Sequence, residues 1–108
     1  MKQDVTQTCP IEAAANVVGG KWKSVILYRL LEKKVIRFNE LHRSIPDITR
    51  RMLTLQLREL EQHGLIHREV YEEKPLKVEY SLTPLGTALE ENLKTLVAWG
   101  KEYLKQRP

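Results

Sequence analysis

The chain of 108 residues has a single cysteine, Cys9, which excludes an internal disulfide framework and fits a reducing compartment. No apolar run approaches the ~20 residues that a bilayer-spanning helix needs. The polar N-terminus, MKQDVTQTCP, has no apolar signal-peptide core. A cytoplasmic protein with no membrane partner is expected. Internal repeats and low-complexity segments are absent. So are paired carboxylates, a phosphate-binding glycine loop and any nucleophile with a base beside it, and an enzyme is therefore not expected. His63 and His67 stand four apart, a spacing that could clamp a metal on one helix, but Gly64 between them stops the helix. We expect no metal and no cofactor. His42 reads as solvated or close to a phosphate rather than catalytic.

What is present is positive charge of one kind. The formal charge is +4 with a sequence pI near 9.3, which suits a polyanionic partner. Histidines aside, every basic side chain between Lys34 and Lys74 is an arginine: Arg37, Arg43, Arg50, Arg51, Arg58 and Arg68. Lysine would serve equally for solubility. The planar guanidinium fork suits phosphates and guanine edges, so the bias favours nucleic acid over a generic solvated face.

The run from Arg37 to Arg68, RFNELHRSIPDITRRMLTLQLRELEQHGLIHR, predicts two short amphipathic helices joined by a tight turn. Phe38, Leu41 and Ile45 share a face of the first, which Pro46-Asp47 breaks. The second starts after Thr49 as N-cap and runs to His63, with Gly64 at the left-handed C′ position. This is the sequence form of a helix-turn-helix DNA reader. Upstream, Cys9-Pro10-Ile11-Glu12 opens a brief helix, with Cys9 or Thr8 capping, that stops at Gly19-Gly20. A second helix is expected from about Lys21 to Glu32, then a very short strand at Val35-Ile36. Downstream, Leu65–Tyr71 and Val78–Leu82 read as strands joined by a hairpin tip at Glu72–Lys77. Three helices followed by a two-stranded ribbon make a winged helix: one mainly helical domain with a small antiparallel β-wing.

Thr83-Pro84 then opens a last helix. Leu85, Leu89, Leu93, Leu96, Gly100 and Tyr103 recur at spacings of three and four, widened by Trp99 and Leu104. So small a domain leaves little core for such a stripe to cover. Leu89, Leu93, Leu96, Trp99 and Tyr103, together with the first helix, are expected to form a homodimer interface. The alternative is packing on its own domain alone.

At 100° per residue, Leu53, Leu57 and Leu60 gather on the inner face of the second motif helix, and Arg51, Leu55, Arg58 and Gln62 on the outer. Base edges are read from the N-terminal half of such a helix, which selects Arg50, Arg51, Thr54 and Leu55. Arginine can bond guanine O6 and N7 together; Leu55 either touches a thymine methyl or is an ordinary exposed leucine. Arg58 is placed for a phosphate, as are Arg37, Asn39 and Thr49 at helix starts. In the wing, Lys74 and Lys77 could reach a phosphate or the minor groove, against the repulsion of Glu72 and Glu73. The free N–H groups at a helix start favour a thiolate at Cys9, and Glu12 opposes it. A small buried filler is the other reading of this cysteine.

These residues resemble a known family. Cys9-Pro10-Ile11-Glu12, Gly20-Lys21-Trp22-Lys23, Arg37-Phe38-Asn39-Glu40-Leu41, Ile48–Thr54, Leu57–Glu61, Gly64-Leu65-Ile66 and Val78–Thr83 follow the order seen in HxlR-type transcriptional regulators, bacterial relatives of the MarR group. The resemblance runs from Cys9 to Trp99. It implies a dimeric winged helix-turn-helix repressor or activator binding double-stranded DNA at a near-palindromic operator. In some members a cysteine at the position of Cys9 senses electrophiles or oxidants, and others have no known signal, so the resemblance leaves an oxidant or small-molecule signal open without identifying one. The rivals are a winged-helix protein interaction module that never touches DNA, and a thiol enzyme built on Cys9, which lacks a partner base.

Overall fold

The computed structural model describes residues 9–107. In chain order these form α1 (Pro10–Val18), α2 (Lys23–Lys33), β1 (Val35–Arg37), α3 (Phe38–Ser44), α4 (Arg50–Gln62), β2 (Ile66–Tyr71), β3 (Lys77–Leu82), α5 (Pro84–Thr87) and α6 (Glu90–Gln106). The architecture is a winged helix-turn-helix. Ile26, Leu27 and Leu30 of α2 sit at its centre, against Leu41 of α3, Leu53, Leu57 and Leu60 of α4, and Tyr80 of β3.

Local chemistry sets the limits of α4. The Thr49 hydroxyl accepts a hydrogen bond from the Met52 N–H (3.0 Å), satisfying one free donor of the first turn. At the other end Gly64 takes φ +79°, and the Gly64 and Leu65 N–H groups bond back to Glu61 (3.0 Å) and Leu60 (3.0 Å). That is a Schellman stop, with Leu65 turned into the core beyond it. Thr83 ties the next element to this stop. Its hydroxyl donates to the Gly64 carbonyl (2.6 Å) and accepts from the Gly86 N–H (3.1 Å).

In its secondary structure the protein departs from the sequence reading in three places. The wing has a third strand. β1 pairs antiparallel with β3, giving the order β1-β3-β2 with Ile36 opposite Tyr80. Burial of Ile36 on that edge anchors the wing to the rest of the domain. The last helix is broken in two. Gly86 lies so close to the turn after α4 that a Cβ there would meet the Leu65 carbonyl oxygen at 2.2 Å. The chain tightens beyond it through a bond from the Leu89 N–H to the Gly86 carbonyl (3.1 Å), and α6 starts at Glu90. Finally, Cys9 holds the N-cap position of α1 but its thiol caps nothing; Thr8, the other suggested cap, lies outside the described residues.

Candidate DNA-reading face

α3, the Pro46-Asp47 turn and α4 form the helix-turn-helix. Asp47 takes φ +77°, and the His42 ring is bonded to the Ile48 carbonyl (Nε2···O 2.9 Å) across the turn. His42 is half-buried and holds the turn; it is not the solvated or phosphate-facing side chain expected from sequence. Leu53, Leu57 and Leu60 are buried on α4, while Arg51, Leu55, Arg58 and Gln62 are exposed opposite them, as their phases require. Leu55 keeps 45% of its surface exposed with polar neighbours on both sides.

Two clefts flank the outer face of α4. The larger, about 570 Å³, lies between the starts of α3 and α4 and the wing, and gathers Arg37, Asn39, Arg50 and Lys77 with Arg43. Glu40 also lines it, held by the Lys33 ammonium. The Arg50 guanidinium stacks 4.9 Å above the Phe38 ring, which orients it at the head of α4. The smaller cleft, about 250 Å³, brings Thr54 and Arg58 beside Arg68 of β2, with Glu61 also on its wall. The Thr54 hydroxyl donates to the Arg50 carbonyl (2.9 Å), leaving its lone pairs and methyl for a ligand. Thr49, spent on its cap, still presents the free N–H groups of the first turn.

Arg43 and Arg68 were not among the sequence candidates. Strand alternation carries a signal for Arg68: it lies two residues from buried Ile66, hence on the face of β2 turned toward α4. No local pattern points to Arg43, which joins the cleft because α3 crosses beside the wing.

The wing is weaker than the helix in positive charge. Between Ile66 and Leu82 it carries Arg68, Lys74 and Lys77 against Glu69, Glu72, Glu73 and Glu79, whereas Arg37 to Arg58 holds five arginines against Glu40 and Asp47. Lys77 is half-buried, 3.7 Å from Glu73, 3.8 Å from Glu79 and 4.4 Å over the Tyr71 ring. Its charge is answered within the wing rather than offered at the surface. The Tyr71 phenol is held above its ordinary pKa by desolvation and by the carboxylates of Glu79, Glu69 and Glu73, a sign of locally negative potential. Lys74, at the exposed tip, makes no ion pair among the described residues.

The expected interface residues divide. Leu93 is buried in the domain's own core and Leu89 is half-buried against it, so Leu93 presents no surface to a partner. Beyond them Leu96 (52% exposed), Trp99 (65%), Tyr103 and Leu104 stand in solvent, and the Trp99 and Tyr103 rings stack at 5.4 Å. α1 buries no residue of its own and exposes Ile11. Cys9 is exposed at the head of α1. His63 caps the end of α4, whereas His67 sits on β2 bonded to Glu69 (2.8 Å), so the two share no face.

A family model described as an HxlR-like helix-turn-helix matches residues 17–108. The chain is 52% identical over 100 residues to YdeP of Bacillus subtilis (strain 168), an uncharacterised HTH-type transcriptional regulator, covering 93% of this chain and 77% of that protein. Among solved structures, the redox regulator HypR in its reduced form is 50% identical with a TM-score of 0.82, covering 87% of this chain and 92% of HypR. The reduced form of the transcriptional regulator YodB from B. subtilis is 35% identical with a TM-score of 0.79, covering 94% of this chain and 100% of YodB. A family match over most of the chain, relatives of this identity and a helix-turn-helix flanked by arginine-lined clefts agree, and the chain belongs to the HxlR-like helix-turn-helix family of transcriptional regulators.

Proposed function

We propose that the protein works in the cytoplasm as a homodimer that reads a near-palindromic operator in double-stranded DNA, with the N-terminal half of α4 in the major groove. The observation that carries this reading is the outer face of α4: Arg51, Leu55 and Arg58 project from a helix whose opposite face is fully buried. Arg50, Arg51, Thr54 and Leu55 meet base edges. Arg58, Arg37, Asn39 and the head of α4 at Thr49 hold the backbone, with Lys74 at the wing tip and Lys77 as the weakest contributor. Leu96, Trp99 and Tyr103 of α6, with α1, cover one another across the two-fold axis. Catalysis has no place in this reading, and neither does a cofactor.

A titration of labelled duplex DNA tests it. Affinity should fall steeply between low and physiological salt as counterions are released, and half-site centres should lie about 10 base pairs, or a multiple, apart. Binding insensitive to salt would instead favour a winged-helix module that contacts only other proteins. The cluster of arginines against so few carboxylates argues against that module.

A second reading concerns the signal. Cys9 is exposed with its thiol making no capping hydrogen bond, and among the relatives HypR is named a redox regulator. With one cysteine per chain, oxidation joins Cys9 to a second copy or to a small thiol. Two thiols give up two protons and two electrons, and peroxide is reduced to water. A bond at the head of α1 would shift the interface and so the spacing of the two α4 helices. A difference of a few kcal/mol between the two arrangements is enough to change their populations substantially. Cys9→Ser should bind the operator as the parent does and ignore peroxide or quinone that releases the parent. Equal release from both proteins would make Cys9 a bystander.

A further inference from the structure

Lys23 opens α2, and its side chain is only 13% exposed. A cation in the first turn of a helix opposes the helix dipole, so nothing within α2 favours it there. Its partners lie on α4. The ammonium donates to Gln56 Oε1 (2.9 Å) and to Glu59 Oε1 (2.6 Å), and the Gln56 amide in turn donates to Met52 Sδ (3.4 Å). Met52, Gln56 and Glu59 form one stripe along α4, roughly a quarter turn around the axis from the buried leucines. On the opposite flank Thr54 and Glu61 line the cleft with Arg68, and Arg50 stacks on Phe38.

Leucine packing sets which face of α4 turns inward, but apolar contacts have little directionality and leave small rotations of the helix about its axis inexpensive. Hydrogen bonds from a half-buried ammonium to two side chains one turn apart are directional. We propose that Lys23 is a positioning residue of the DNA-reading helix, fixing the rotation of α4 about its own axis through Gln56 and Glu59 and so deciding where Arg51, Leu55 and Arg58 point. The inference rests on the reading of α4 as the helix that enters the groove. It also links α2, which packs against α1 and α6, to the reading face by a polar contact.

The test uses the full chain, an operator selected from a random duplex library by the unmodified protein, and random duplex as reference. Lys23→Met should lose tenfold or more on the operator and less than threefold on random duplex, and Lys23→Arg, which keeps two donors, should recover most of the loss. Glu59→Leu should lower the ratio of the two affinities, while Glu59→Gln, which keeps an acceptor in place, should preserve it. A charge acting only through the field of the protein predicts otherwise. Lys23→Met would then weaken both DNAs alike, and both Glu59 variants would strengthen both. Either pattern overturns the proposal, as does an unchanged operator affinity in Lys23→Met. If Lys23→Met does not fold, the two Glu59 variants carry the decision. Absence of salt-dependent duplex binding by the unmodified protein would refute the DNA-reading function itself and is seen before any variant is made.

Discussion

Trp99→Ala should turn the dimer into a monomer at micromolar concentration. Trp99 is 65% exposed in the isolated chain, so its removal costs the monomer little, and any effect reports on a partner surface. A buried interface tryptophan is worth about 2 kcal/mol or more on truncation. A two-fold axis places each substitution in the interface twice, giving about 4 kcal/mol, or roughly a thousandfold in the dimer dissociation constant. Leu96→Glu should act in the same direction, through a charge set into an apolar contact. Sedimentation velocity reads the outcome directly. Operator affinity should fall with dimerisation, because a lone monomer engages a single half-site. A Trp99→Ala protein that still sediments as a dimer with the parent's dissociation constant would move the interface away from α6.

Replacing Arg51 by alanine should cost roughly 1–3 kcal/mol on the operator, a loss between several-fold and about a hundredfold, and should relax discrimination at one base pair. Arg51 is exposed near the start of α4, with no ion pair among the described residues, and its guanidinium is free to take guanine O6 and N7 together. Arg58 stands two turns further along and shares a cleft with Arg68. Arg58→Ala should therefore weaken operator and random DNA alike and lower the salt slope by about one. Competition titrations with single-base operator variants separate the two residues. Identical behaviour of both alanine variants on both kinds of DNA would mean that α4 lies in the groove at a different angle.

Much of this could be read along the chain because the governing forces are local. Thr49 caps, Gly64 stops, and Leu53, Leu57 and Leu60 repeat with the helical period; each needs only its near neighbours to act, and the structure has all of them in those roles. Thr83-Pro84 opens a helix for the same reason. Apart from the Cys9 thiol, which caps nothing, the failures were matters of who lies beside whom. The stripe from Leu85 to Tyr103 has unbroken helical periodicity, yet Gly86 lies against the Leu65 carbonyl where the helix is interrupted, and Leu93 is buried in the domain's own core.

From sequence, Lys77 could reach a phosphate or the minor groove with only Glu72 and Glu73 against it; Glu79 and the Tyr71 ring across the hairpin engage it once the wing folds. His42 looked solvated because the Ile48 carbonyl reaches it only around the turn. Arg43 and Lys23 likewise meet partners distant in sequence, as Arg68 does in the smaller cleft. The amino-acid sequence alone determined the winged helix-turn-helix, the limits of its second motif helix and the arginines on the outer face of that helix, since backbone capping and hydrophobic period act within a few residues. Tertiary structure alone decided which charges stay available, which leucines reach the surface and which polar side chains of α2 and α4 meet, because pairing and burial depend on distances between elements that the order of residues does not specify.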